Sequence, residues 1–218
     1  MTKGRIGVII KDMIKALFKF AKIPTHVNET KPVVIDTTSN SGEYRDVSPF
    51  VLPAPPAKNF ENLWQFSKVY PEHVDKFGYQ SNDWYKWRKK GWATKRAIRY
   101  PMGKITKNMS PEEKRKRTPL FSHWKDEKLS YIQARKKIYA PEYAKNVGTT
   151  TSYHRLEYVY QECLAENREL ILLDYDAYDH AQLGMSLVDV INNPGKKMGH
   201  AFVLIMMLTG LLGECVNS

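Results

Sequence analysis

Three polar side chains fall on one face of a helix predicted at residues 60–70. Glu61, Gln65 and Lys68 follow an i, i+4, i+7 spacing, which aligns side chains along one side of an α-helix. A carboxylate, an amide and an ammonium group in one row either form a solvated face, with Gln65 bridging the two charges, or line a polar site. Spacing alone favours the solvated face, but a polar row on an otherwise apolar helix needs an explanation, and a site remains the alternative.

A group of carboxylates follows a short apolar strand predicted at residues 169–174. Asp174, Asp176 and Asp179 lie at its end, where a carboxylate can act as an acid or a base or bind a divalent cation through oxygen. The alternative is an ordinary solvated turn. The spacing does not follow the pattern of a calcium-binding loop, and no His or Cys spacing is typical of zinc. We therefore predict no metal ion and no cofactor.

A glycine-containing loop precedes the last predicted helix, which spans residues 199–212. The loop includes Gly195, Lys196, Gly199 and His200. The first backbone N–H groups of a helix have no partner within the helix and attract anions. His200 either contacts such an anion or acts as an acid, or it makes only local hydrogen bonds.

The positive charge of the chain is concentrated in residues 84–128. The chain has 34 Lys and Arg against 23 Asp and Glu, a net charge of +11, and residues 84–128 hold 15 of the former and 4 of the latter. Cationic side chains alternate there with aromatic rings, a combination that follows phosphates and stacks bases. The alternative is a helix with buried tryptophans and solvated lysines. We predict a nucleic-acid surface, with DNA favoured over RNA, formed by Trp87, Arg88, Lys89, Lys90, Trp92, Lys95, Arg96, Arg99 and Lys104.

The elements that position these groups are helices and short strands. With 218 residues, 42% of them hydrophobic, the chain can bury a core in one domain. No internal repeat is present. The pattern predicts a single, mostly helical α+β domain with a small sheet. Its strands are expected at residues 31–38 and 169–174, and its helices at 60–70 (capped by Asn59 and ended by Pro71), 128–139 (ended by Pro141), 152–168 and 199–212.

The first 30 residues read as a basic helix or arm that precedes the domain at residues 31–218. Apolar residues recur at helical spacing over residues 1–24, with lysines between them, so the helix either docks onto its own domain or lies on a membrane surface. The lysines argue against a secretory signal. Residues 201–212 are too few to span a bilayer, which needs about 20 residues. We therefore expect no transmembrane segment. With only two cysteines, we expect a reduced, cytoplasmic setting.

Three segments of the chain resemble, in the same order, the NADAR superfamily of small N-glycosidases. Residues 33–40 (VVIDTTSN) and 42–50 (GEYRDVSPF) resemble the opening strand and the S-N-F loop of these proteins. Residues 60–68 (FENLWQFSK) match the family's E-h-x-x-Q-x-x-K helix. Residues 195–204 (GKKMGHAFVL) are similar to the Gly-Lys-x-x-Leu-Gly segment that opens its last helix.

The resemblance implies cleavage of an N-glycosidic bond in an ADP-ribose-like ligand. Such cleavage passes through an oxocarbenium-like sugar, which needs a carboxylate close to the anomeric carbon. The resemblance thus implies Glu61 as the catalytic carboxylate, with Gln65 on a ribose hydroxyl and Lys68 on a phosphate. We predict Asp174 as the second catalytic residue from its position after the apolar strand. The other substrate-binding residues implied are Ser39, Asn40, Ser48, Phe50, Trp64, Gly195, Lys196, Gly199 and His200.

Together with the positive segment, the resemblance predicts an N-glycosidase-like hydrolase that removes an ADP-ribosyl or related sugar adduct from a nucleobase in nucleic acid. Three alternatives stay open. A non-enzymatic nucleic-acid-binding or host-interaction protein would keep the fold without the chemistry, as the lack of the family's Trp-Gly step before the final helix suggests. A hydrolase of free nucleotides or riboflavin precursors would not use the positive segment. A glycosyl-transferring enzyme would modify DNA through the same sugar cation.

Overall fold

The computed structural model describes residues 6–10 and 32–218, which form an α+β fold with two small sheets. The predicted fold class is confirmed at this level. The strands are β1 (Ile6–Ile10), β2 (Val33–Asp36), β3 (Lys68–Val69), β4 (Phe121–Trp124), β5 (Glu127–Leu129) and β6 (Leu170–Asp174). The helices are α1 (Phe60–Gln65), α2 (Asn82–Ala93), α3 (Pro111–Lys116), α4 (Tyr131–Ala134), α5 (Ala140–Val147), α6 (Thr151–Ala165), α7 (Leu187–Asn192), α8 (His200–Leu208) and α9 (Leu212–Asn217).

One sheet is parallel and has the strand order β1-β6-β2, so the last strand in the sequence lies at its centre. Leu170 is opposite both Ile6 and Val33 in the two registers. All five residues of β6 are buried, as expected for a parallel strand that is covered on both faces. Strands β2 and β6 end at the same edge of this sheet, where the chain leaves Asp36 and Asp174.

The predicted helix at residues 1–24 is wrong for Ile6–Ile10, which form strand β1. Four of these five residues are β-branched, and a short continuous apolar run fits a buried strand as well as it fits a helix. Pairing with β6 decides between the two, because without β1 one edge of that central strand has no backbone partner. This part of the predicted arm therefore belongs to the sheet. Residues 1–5 and 11–31 lie outside the described residues.

Helix α1 starts as predicted and ends earlier than predicted. The Asn59 side chain caps it by accepting a hydrogen bond from the Asn62 N–H at 2.9 Å. The helix ends at Gln65, and the chain continues into β3, where Lys68 is opposite Ser122 in an antiparallel sheet of order β3-β4-β5. The predicted extension to residue 70 is wrong because the backbone of residues 68–69 pairs with β4 instead.

The helix predicted to end before Pro141 continues through it. Helix α4 runs into α5 by way of a π-helical turn at Arg135–Tyr139, in which the Ala140 N–H donates to the Arg135 carbonyl. Proline has no N–H and is tolerated in the first turn of a helix but not in its interior. Because the π-helical turn makes α5 begin at Ala140, Pro141 stands in a first turn.

Helix α8 and a group of aromatic rings form the core next to α1. The first seven residues of α8 are buried. Phe60 makes edge-to-face contacts with Tyr139 and Tyr143, at 5.3 and 5.2 Å between ring centroids, and such pairs contribute about 1 kcal/mol each beyond burial. Packing of Phe60 therefore holds the helix that carries Glu61. None of the helices in the described part of the chain, α8 included, has the length and apolar character needed to cross a membrane.

Candidate functional site

A cavity of about 690 Å³ lies where the carboxyl ends of β2 and β6 meet α1 and the start of α8. Ligands of folds with parallel strands bind at such ends, because the loops there leave the sheet on one side. The segment between α2 and β4 forms another part of the wall. Ten of the thirteen predicted catalytic and substrate-binding residues line the cavity: Ser39, Ser48, Phe50, Glu61, Trp64, Gln65, Lys68, Asp174, Gly199 and His200. The other three, Asn40, Gly195 and Lys196, are exposed and do not line it.

Glu61, Gln65 and Lys68 form a hydrogen-bonded chain on the cavity wall. Gln65 Nε2 donates to Glu61 Oε1 at 2.9 Å, and Lys68 Nζ donates to Gln65 Oε1 at 2.7 Å. Glu61 and Gln65 are one turn apart on α1, whereas Lys68 reaches Gln65 from β3. Lys68 Nζ also lies 4.9 Å from the centre of the Trp64 ring, a cation–π contact. The three side chains meet as predicted from their spacing, although only two of them are on the helix.

Burial moves the pKa values of the two charged groups in opposite directions. Loss of water raises the pKa of Glu61, and the Gln65 hydrogen bond and the Lys68 charge oppose this rise only in part. Burial lowers the pKa of Lys68 to about 8, against the opposing effect of the Glu61 charge. Since Glu61 is 7% exposed, the row is not a solvated face. Opposite shifts in one cavity are typical of sites that move protons.

Asp174 and His200 form a buried ion pair between the end of β6 and the start of α8. Asp174 Oδ2 lies 3.0 Å from His200 Nδ1 and accepts a hydrogen bond from the Ala201 N–H at 3.2 Å. Asp174 Oδ1 accepts from the Asp176 N–H at 3.3 Å. His200 Nε2 lies 2.8 Å from the carbonyl oxygen of Thr37, which only accepts, so this nitrogen carries a proton. Because both ring nitrogens face acceptors, the geometry favours His200 as a cation.

The pKa values of this pair follow from the same contacts. Burial raises the pKa of Asp174, but the His200 charge and the hydrogen bonds outweigh it and lower the pKa to about 2. Burial lowers the pKa of His200, but the Asp174 charge and the two acceptors outweigh it and raise the pKa. Asp174 is therefore ionised at neutral pH with both oxygens engaged. This state does not suit the predicted catalytic role of Asp174 as an acid, and its contacts instead position His200.

Gly199 allows the backbone to approach the Asp174 carboxylate. A Cβ atom at residue 199 would lie 2.0 Å from Asp174 Oδ2, so any other residue would displace the carboxylate. The Gly199 N–H donates to the Asp176 carbonyl at 3.0 Å, and the Ala201 N–H donates to Asp174. The prediction that N–H groups at this helix start bind a ligand anion is therefore wrong for these two groups, because the protein's own acceptors occupy them.

Arg99 reaches the cavity wall from the loop after α2 and pairs with Asp176. Asp176 also lies 3.3 Å from Lys197 Nζ, so one carboxylate links two cations from different loops. Arg99 and Lys104 are predicted from the sequence as contacts on an open nucleic-acid surface. The structure places both in the wall of the cavity.

Asn62 fastens the loop that carries Arg99 to helix α1. Its side-chain amide donates to the carbonyl oxygens of Thr94 and Arg96 at 2.8 and 2.9 Å and accepts from the Ile98 N–H at 2.8 Å. Asn62 is fully buried, and all of these bonds replace contacts with water. The same short helix therefore positions Glu61 and, through this loop, Arg99.

Most rings of the basic segment pack inside the protein. Trp84 is fully buried, and Trp87 lies 4.5 Å from Phe66 between ring centroids. The Arg88 guanidinium lies over the rings of Trp84 and Trp92, at 4.4 and 4.6 Å. We therefore correct the prediction that Trp87, Arg88 and Trp92 form a base-stacking surface, because intramolecular contacts occupy their faces. The remaining predicted cations of α2 and the following loop are exposed, namely Lys89, Lys90, Lys95 and Arg96.

Arg135 is a wall residue that the sequence analysis missed. It is 1% exposed, and its guanidinium donates to the Tyr131 hydroxyl at 2.8 Å. It also donates, over 2.5–3.3 Å, to the carbonyl oxygens of Val190, Ile191, Asn193 and Lys196. In the sequence Arg135 is the first of three consecutive cations, followed by Lys136 and Lys137, and this pattern does not distinguish it from a solvated face. Other charged or aromatic wall residues that were not predicted include Tyr70, Tyr100, Arg117, Tyr131, Tyr139, Tyr175 and Lys197.

The wall of the cavity combines positive charge with aromatic rings. It has six Lys or Arg side chains, three carboxylates and one histidine, together with seven aromatic rings. A ligand with phosphate groups and a planar base complements such a wall. Within residues 6–10 and 32–218, no three His, Cys, Asp or Glu side chains are grouped so that they could hold a metal ion.

Comparison of the chain with protein-family models, with curated proteins and with solved structures gives no match. The fold class is compatible with many activities, so function has to be argued from the groups in the cavity.

Proposed function

We propose that this protein is an N-glycosidase-like hydrolase that removes an ADP-ribosyl or related sugar adduct from a nucleobase in nucleic acid, with Glu61 as the catalytic carboxylate. The observation that carries the proposal is the buried Glu61 carboxylate on the wall of a cavity that also contains Gly199. Residues from each of the three segments that resemble the NADAR superfamily line this one cavity, although the third segment lies more than 120 residues after the second.

The reaction breaks the bond between the anomeric carbon and a nitrogen of the base. The electron pair leaves with the base nitrogen, which takes up a proton from solvent, and the hydroxyl group of water joins the carbon; the remaining proton of this water passes through Glu61 to solvent. The sugar is positively charged in the transition state. The Glu61 carboxylate stabilises this charge and accepts a proton from the attacking water, while the bond from Gln65 orients it. The Lys68 charge opposes the rise in the pKa of Glu61 and so favours the ionised form.

The other charged groups of the wall are assigned by their contacts. Arg99 and Lys197 meet at Asp176 and supply positive charge for a phosphate of the ligand. Asp174 and His200 position the start of α8 and take no part in proton transfer, because their polar atoms are engaged with each other and with the backbone. Trp64 and Tyr139, with ring centroids 5.1 Å apart, contribute the apolar part of the wall.

The test is the release of ADP-ribose from a DNA oligonucleotide that carries an ADP-ribosylated base. We expect release by the wild-type protein and a loss of about 100-fold or more in Glu61→Gln. The variant should stay folded, because the amide oxygen can still accept the bond from Gln65 and because burial disfavours the charged form of the carboxyl group that is replaced. Glu214→Gln, which changes an exposed residue outside the cavity, is the matched control. A Glu61→Gln variant with full activity would refute the assignment.

A second candidate function is nucleic-acid binding without catalysis. It is favoured by the exposed side chains of Lys89, Lys90, Lys95 and Arg96, which have no acidic partner within residues 6–10 and 32–218. Tight, salt-dependent binding of DNA with no glycosidic product from any adduct would support this candidate over the hydrolase. Release of product from free nucleotides alone would indicate that the positive segment is not needed for the reaction.

A further inference from the structure

The opening of the cavity exposes a set of large apolar side chains. Phe50, Tyr100 and Tyr131 are 36%, 44% and 45% exposed and line the cavity, and so do Ile105 and Tyr175. A residue that lines a cavity and is also exposed lies at its opening. Exposed apolar groups collected in one place, rather than scattered singly, mark a binding surface.

The same opening carries positive side chains from the segment between α2 and β4. Lys104 and Arg117 line the cavity, and the Arg117 guanidinium donates from Nη1 to the Lys104 carbonyl at 2.9 Å. Gly103 makes this contact feasible: it has a φ of +84°, and a Cβ there would lie 2.8 Å from Arg117 Nη1. Arg117 also ends α3, where the carbonyl groups favour a cation. Lys104 is exposed, and its side chain has no carboxylate within ion-pairing distance among the described residues.

We propose that a single strand of nucleic acid crosses this opening, with bases stacked on Phe50 and Tyr100 and phosphates on Lys104 and Arg117. The inference rests on the proposed function, in which one nucleotide of the strand enters the cavity. Rings that offer a free face beside cations are the features with which proteins bind single strands. On α2 the tryptophan faces are covered. At the opening, the Arg99 guanidinium lies 5.7 Å from the centre of the Tyr100 ring and takes one of its two faces, and the exposure of Tyr100 and Phe50 leaves ring surface for a base. The cationic excess of the wall complements a phosphate chain.

The experiment measures binding of a short fluorescein-labelled oligothymidylate without any sugar adduct, by fluorescence anisotropy over a range of salt concentrations. We expect Tyr100→Ala to weaken binding by about tenfold, since one stacked base is lost. We expect Lys104→Ala to weaken binding and to lower the slope of log Kd against log salt by about one. Tyr158→Ala and Lys145→Ala, which change exposed residues of α6 and α5 away from the cavity, are matched controls.

A double variant, Lys89→Ala with Lys90→Ala, tests the rival surface on α2. The proposal is overturned if this variant weakens binding while Tyr100→Ala and Lys104→Ala bind like the wild type, or if the unmodified oligonucleotide does not bind. The binding assay, together with the assay for release of ADP-ribose, separates this proposal from the proposed function. Oligonucleotide binding at the opening without any hydrolysis would support binding of a single strand there and refute the proposed hydrolase activity. Hydrolysis of free nucleotides without oligonucleotide binding would refute binding of a single strand at the opening but not the hydrolase activity.

Discussion

Replacement of Gly199 by alanine should destabilise the protein through a single atom. The added Cβ would lie 2.0 Å from Asp174 Oδ2 and 2.7 Å from the Asp174 carboxyl carbon, distances that non-bonded atoms do not adopt. The backbone itself is compatible with alanine, because residue 199 has a φ of −83° and a ψ of 174°. The Asp174 carboxylate is buried between β6 and α8, so it can move only by losing its contacts with His200 and the Ala201 N–H.

The magnitude follows from the bonds that the carboxylate loses. Movement of Oδ2 away from residue 199 lengthens its 3.0 Å contact with His200 Nδ1 and its 3.2 Å bond from the Ala201 N–H. Loss of one partner from a buried ion pair costs about 3 to 5 kcal/mol. Alanine in place of glycine restricts the unfolded chain and returns less than about 1 kcal/mol. We therefore expect a decrease of about 3 kcal/mol in the free energy of unfolding.

Urea unfolding at neutral pH, followed by tryptophan fluorescence, measures this change. Gly195→Ala is the matched control, because residue 195 is in the same loop and its nearest neighbour to an added Cβ is Asn193 Oδ1 at 3.2 Å. This control should differ from the wild type by less than about 1 kcal/mol. If Gly199→Ala unfolds at the same urea concentration as Gly195→Ala, the close approach of residue 199 to Asp174 is refuted.

Two further predictions concern the buried charges of the site. The pKa of Asp174 is lowered from 3.8 to about 2 in the folded protein, so its stabilisation is complete above pH 3.8 and is lost as the pH falls toward 2. The free energy of unfolding should fall by about 2 kcal/mol over this pH range. In Asp174→Asn this fall should be absent from the acid unfolding curve. Equal pH dependence of stability in the variant and the wild type would contradict the lowered pKa of Asp174. Arg135→Lys should lower the free energy of unfolding by about 3 kcal/mol, because lysine lacks the planar fork that reaches several carbonyl oxygens. Arg155→Lys, at a half-exposed ion pair with Glu43, is the control in the same urea assay. If both variants lower the free energy of unfolding by an equally small amount, the hydrogen bonds of Arg135 contribute little to stability.

Some features of the site could be predicted because their causes lie within a few residues. The Asn59 cap and the first turn of α1 follow from a side chain and a backbone group three residues apart. The Glu61 and Gln65 contact follows from helical spacing alone. Strand β6 follows from a continuous apolar run, which is typical of a strand at the centre of a parallel sheet.

Other features could not be predicted because their partners are far away in the sequence. Lys68 leaves the helix for a strand because β4, more than 50 residues later, supplies the backbone partners. Ile6–Ile10 form a strand because β6 has an edge to be paired. Pro141 does not end its helix because the preceding π-helical turn starts a new one. In each case local propensity was compatible with two structures, and a distant contact selected one.

The sequence alone determined which residue types are present, where the positive charge is concentrated, and which side chains neighbour each other along α1. Only the tertiary structure decided which of these groups face a ligand. It turned the rings of Trp84 and Trp87 inward, brought Arg99 into the cavity, and placed His200 against Thr37 across 163 residues. The physical reason is that burial and ion pairing depend on groups brought together by packing of the whole chain, whereas spacing along the sequence reports only on neighbours within one or two turns.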